Sequence, residues 1–124
     1  MQSSGKAQIV RNALAYLDLC YNDFGDDGAA ALAPALSRLS RLAWLSLRQN
    51  GVGAAGAAAL APALGCLTAL TCLDLARHTF GEDGMQQLAP TLVRLTRLKR
   101  LQVGSEDDGH SDESALRAWL PTSV

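Results

Sequence analysis

Hydrophobic positions recur along the chain at a fixed interval of 28 residues. Leu14, Leu42, Leu70 and Leu98 form one series, Leu17, Leu45, Leu73 and Leu101 a second, and Leu19, Leu47, Leu75 and Val103 a third. A period of roughly 20 to 50 residues marks stacked supersecondary units that bury their apolar sides only against one another. Within each unit the pattern changes character. Leu17 and Leu19 alternate with Tyr16, Asp18 and Cys20, a period of two that predicts a short strand with one face buried. Further on, Leu32 and Leu36, Leu60 and Leu64, and Leu88 and Leu92 lie four apart, each pair followed three residues later by Leu39, Leu67 or Leu95. That spacing places one apolar stripe on a helix of about three turns.

The joints between strand and helix carry their own signals. Gly25, Gly53 and Gly81 precede Gly28, Gly56 and Gly84 by three residues. The first of each pair is expected to supply a turn with positive φ, the second a close approach of the neighbouring segment. Asp26 and Asp27, or Glu82 and Asp83, fall at the helix start, where carboxylates complement the positive end of the helix dipole. Pro34, Pro62 and Pro90 lie inside the helical stretches. A proline there removes one hydrogen bond, so a kink or a break into two pieces is predicted, with Ala30, Ala58 and Gln86 losing a carbonyl partner.

The resulting organisation is α/β: a β-α solenoid of about four repeats, each running strand, turn, helix and back to strand. Residues 14–41, 42–69 and 70–97 are the three regular repeats, and residues 1–13 a lead-in or weak N-terminal cap. Residues 98–124 form a degenerate fourth repeat. There Gly109, Leu116 and Leu120 keep the pattern, while Glu106, Asp108 and Asp112 replace the Asn, apolar and second-glycine positions. A polar last repeat ends such a stack, with Trp119 expected to cover the third.

Composition narrows the function. The 124 residues are 48% hydrophobic but only 5% aromatic, so the core must be built from Leu and Ala. A formal charge of −1 and a pI near 6.0 argue against a nucleic-acid partner or an anionic membrane surface. The first residues, MQSSGKAQIV, lack the apolar run of a signal peptide, and no stretch approaches the roughly 18 apolar residues of a membrane span. Three cysteines make no disulfide framework. Cytoplasmic residence is therefore expected, with the nucleus as the alternative.

The pattern Leu-x-x-Leu-x-Leu-x-x-Asn ends at Asn22 and Asn50, with His78 at the third position. The runs LAYLDLCYNDFGDDGAAALAPALSRLSR and LAWLSLRQNGVGAAGAAALAPALGCLTA resemble leucine-rich repeats of the ribonuclease-inhibitor type, including those of NOD-like receptors and Ran GTPase-activating proteins. The resemblance implies a right-handed horseshoe segment, with a parallel sheet on the concave face and helices on the convex face, whose concave face and rim hold other proteins. It also implies that Asn22 and Asn50 form a ladder satisfying loop backbone groups, a rung that His78 can replace because imidazole both donates and accepts. Ribonuclease inhibitor is much longer and rich in cysteine, so inhibition of ribonucleases is not implied.

Strand alternation assigns three outward columns: Tyr16, Trp44, Cys72, Arg100; Asp18, Ser46, Asp74, Gln102; and Cys20, Arg48, Ala76, Gly104. Neighbours in a column are about 5 Å apart, which sets Tyr16 beside Trp44. Adjacent aromatics with nearby arginines have the composition of an interface hot spot. The expected partner-binding residues are Tyr16, Asp18, Trp44, Ser46, Arg48, Gln49, Asp74, Arg77 and Arg100. Catalysis is not expected, nor is a cofactor. Cys66, Cys72 and His78 are evenly spaced, but Cys72 to His78 spans about 20 Å when extended, too far for one zinc ion or a Cys–His nucleophile pair. The acidic stretch at 106–113 lacks the ligand spacing of an EF-hand.

Acidic residues other than Asp18 and Asp74 fall where strands turn into helices; Arg11, Arg38, Arg41, Arg94, Arg97 and Lys99 fall where helices turn back. A partner with a basic region is expected to dock along the acidic rim in a salt-dependent way. The expected function is that of a protein-binding module, non-enzymatic and part of a larger intracellular receptor or scaffold. The alternatives are a regulatory module of an enzyme, of GTPase-activator or inhibitor type, and structural spacer repeats that self-associate through the exposed N-terminal repeat.

Overall fold

The computed structural model describes residues 14–103. The expectations for the lead-in at 1–13, and for Gly109, Trp119 and the rest of the cap beyond Val103, lie outside these residues. Within them the chain alternates strand and helix: β1 (Tyr16–Asp18), α1 (Gly25–Leu36), β2 (Trp44–Ser46), α2 (Ala54–Gly65), β3 (Cys72–Asp74), α3 (Gly81–Val93) and β4 (Arg100–Gln102). The four strands form one parallel sheet in sequence order. Each strand pairs with the one 28 residues on, as in Tyr16↔Trp44, Trp44↔Cys72 and Cys72↔Arg100. Bonds from Leu19 N–H to the Ser46 carbonyl, and from Tyr21 N–H to the Arg48 carbonyl, carry the pairing past the end of β1.

The Leu series explain the register. Leu42, Leu45, Leu47, Leu70, Leu73 and Leu75 are buried in one core cluster with Leu36, Leu60, Leu64, Leu88 and Leu92 from the helices. A slip by one residue would turn every inward leucine outward, so the period of the sequence becomes the register of the sheet. The first repeat is less enclosed. Leu17 and Leu19 are only partly buried, and Leu14 is exposed.

The prolines behave differently from expectation. All three helices run unbroken through Pro34, Pro62 and Pro90. Each proline sits in or next to the last turn on the exposed side, and Ala30, Ala58 and Gln86 are exposed as well. The carbonyl that loses its N–H partner is therefore on the solvent side of the helix, where water can replace the bond.

The glycines divide as expected in two repeats. Gly25 and Gly81 have φ of 65° and 67°, but Gly53 is extended, and the second repeat has positive φ at Gln49 and Gly51. Gly56, like Gly28 and Gly84, is a close-approach position: a Cβ there would collide with Val52 and lie 2.6 Å from Asp26 Oδ1. That carboxylate accepts hydrogen bonds from the N–H groups of Gly53 (2.7 Å) and Gly56 (2.8 Å). Asp26 of α1 thus caps the start of α2, which has no acidic residue in its own first turn.

A polar ladder joins the repeats beneath the loops. Asn50 is fully buried. Its amide donates to the carbonyls of Leu19, Leu47 and Arg48, and its Oδ1 accepts from Asn22 N–H. His78 continues the ladder by a different geometry. Its Nε2 meets the Leu47 carbonyl, equivalent to the Asn50 bond to Leu19, while Nδ1 accepts from Val52 N–H at 3.1 Å. The ring therefore carries its proton on Nε2, and it stacks on Phe80 with centroids 4.9 Å apart.

Candidate protein-binding face

The outward side of the sheet carries the first two expected columns in full, and its β1 end is aromatic. Tyr16 of β1 and Trp44 of β2 occupy paired positions. Their rings stack with centroids 4.1 Å apart and planes 8° from parallel. This geometry follows from the register, because identical positions on parallel neighbours lie about one strand spacing apart and flat rings fill that spacing face to face. Tyr16 lies on the edge strand of the described sheet and is 59% exposed, while Trp44 is half-buried. The same column continues through half-buried Cys72 to exposed Arg100. Burial pushes the Cys72 thiol up, against a smaller opposing effect of the Arg100 charge.

The second column is largely committed to holding the strand ends. Asp18 Oδ1 accepts from Cys20 N–H, and Asp74 Oδ1 from Ala76 N–H. Ser46 Oγ stands 3.4 Å from Arg48 N in the equivalent place. A short acceptor side chain that bonds the N–H two residues on turns the backbone out of the strand. The Asp18 carboxyl lies below the usual carboxylate range because the Cys20 thiol and N–H both hydrogen-bond to it. The Cys20 thiol is pushed up in return.

Accessibility separates the nine expected residues. Arg48 Nη1 pairs with Asp74 Oδ2 at 2.9 Å, and both side chains are mostly covered. Ser46 beneath them is only 3% exposed, and Gln102 at the far end of that column is buried too. These residues offer little surface, although their positions alternate outward as expected. The reason is that Arg48 reaches across one repeat to Asp74 instead of extending into solvent. Tyr16, Asp18, Gln49, Arg77 and Arg100 are exposed. Gln49 and Arg77 project from backbone with φ of 54° and 63°.

One exposed residue escaped the sequence reading. Tyr21 is 58% exposed with φ of 60°, and it is the first member of the column formed with Gln49 and Arg77. The signal was present in the 28-residue offset from Gln49, but Tyr21 follows the strand and so falls outside simple alternation.

The family model for Leucine Rich repeat matches residues 14–33 and 67–89. Those spans contain β1 with the start of α1, and β3 with the start of α3. With four parallel strands in one sheet, the matches at these two places support leucine-rich repeats in a β-α solenoid-like fold. Such repeats are in general protein-interaction modules. Neither the curated proteins nor the solved structures contain a match to this chain. No helix among the described residues is long and apolar enough to cross a membrane.

Proposed function

We propose that this chain is a non-enzymatic interaction module that holds a partner protein on the outward face of its sheet, within a larger intracellular receptor or scaffold. The observation that carries the reading is the stacked Tyr16–Trp44 pair, with Tyr16 59% exposed at the sheet edge. A rigid, amphipathic aromatic pair loses little conformational freedom on binding and offers a large contact area. Asp18, Gln49, Arg77 and Arg100 supply the polar surround. The Arg48–Asp74 pair and Ser46 lie on the same face beside it and are mostly covered. The 28-residue spacing and the Asn positions favour the ribonuclease-inhibitor type of right-handed horseshoe among leucine-rich repeats.

Affinity capture from a cell lysate, compared between the native chain and a Tyr16→Ala/Trp44→Ala double variant, tests the proposal. A partner is expected to be retained by the native chain and lost by the double variant, with unchanged circular dichroism. Equal retention by both would remove the aromatic pair from the binding surface.

A further inference from the structure

The stacked pair has two ends, and they differ. Trp44 is followed along its column by Cys72 and Arg100, whereas Tyr16 belongs to the edge strand of the described sheet. One face of the Tyr16 ring is covered by Trp44 at 4.1 Å, and the residue is still 59% exposed. The exposed surface thus includes an aromatic face held in position from behind. Such a face is the negative pole of the ring quadrupole and attracts cations, arginine in particular.

Asp18 stands two residues further along the same side of β1, about 7 Å away along the strand. It is exposed, and one of its oxygens is fixed by Cys20 N–H. A guanidinium lying flat on Tyr16 can therefore also meet a pre-oriented carboxylate, the combination for which its planar fork is suited. The charge distribution points the same way. Residues 14–37 contain Asp18, Asp23, Asp26 and Asp27 and no Lys or Arg. These carboxylates draw a basic segment to the β1 end. A polyphosphate chain such as single-stranded nucleic acid, which also stacks on aromatics, is repelled where the aromatics are.

From these observations we infer that the Tyr16 face and the Asp18 carboxylate form a docking site for an arginine side chain of the partner protein. The inference rests on the proposed function and adds the chemistry of the partner to it.

The test is selection of random displayed peptides on the native chain, followed by titration of the recovered peptides against single variants. Recovered peptides should carry an arginine at a shared position. Their affinity should fall on the order of fivefold with Tyr16→Leu and with Asp18→Asn, and survive Tyr16→Phe, which keeps the aromatic face. Replacing that arginine by glutamine should produce a similar loss. Peptides that need Tyr16 and Trp44 but carry no basic residue, and ignore Asp18→Asn, would refute the arginine site while leaving the binding face intact. Recovery only of peptides indifferent to both aromatics, or of none, would refute both. Competition by oligothymidylate sensitive to Tyr16→Leu would replace the arginine with a nucleobase.

Discussion

His78 is expected to make the stability of this solenoid depend on pH. Its ring is 7% exposed, accepts Val52 N–H on Nδ1 and reaches the Leu47 carbonyl through Nε2. Only the neutral ring can accept at Nδ1. Burial holds the His78 pKa below the usual histidine value, outweighing the opposing influences of the Leu47 carbonyl and the Asp74 charge. The folded chain thus binds this proton less tightly than the unfolded chain. The contribution is fully present above the unfolded pKa of about 6.5. It declines as pH falls below that value and is exhausted once the folded ring itself titrates. In that window one proton changes stability by up to about 1.4 kcal/mol per pH unit. Protonation turns Nδ1 into a donor facing the Val52 N–H, and a buried N–H without an acceptor costs about 1–3 kcal/mol. The assay is urea denaturation between pH 7.5 and 5, followed by circular dichroism. With m of about 1–3 kcal/mol per molar, the native midpoint should fall on the order of 1 M. His78→Asn, which restores the side chain of the neighbouring rungs, should flatten the profile. An equally steep profile in that variant would show that His78 is not the group responsible.

Two further outcomes follow from the same packing. Gly56→Ala should destabilise the chain by about 1–3 kcal/mol, because the new Cβ meets Val52 and the Asp26 carboxylate; an unchanged thermal midpoint would contradict the close approach. Asp26→Ala should cost about 1–2 kcal/mol by leaving Gly53 and Gly56 N–H uncapped. Asp27→Ala, one residue away, provides the control, and equal losses in the two variants would remove the inter-repeat cap.

How far the sequence reaches is shown by particular residues. The 28-residue leucine series specifies a parallel sheet in register because the inward positions have no alternative place to be buried. Register in turn dictates that Tyr16 and Trp44 stack. Which other outward positions face solvent was not legible. Arg48 and Asp74 are 26 residues apart, and only the offset of adjacent strands lets one reach the other and cover Ser46. The unbroken helices at the prolines also depended on context, since the lost bond is harmless only on an exposed side.

The sequence by itself therefore determined the repeat, its core and the aromatic column, because period and alternation act locally and identically in every unit. The tertiary structure decided what passes between units: the Asp26 cap on α2, the exchange of acceptor partner at His78, and the burial of Arg48. These depend on distances between neighbouring repeats, and a linear pattern carries the order of residues but not those distances.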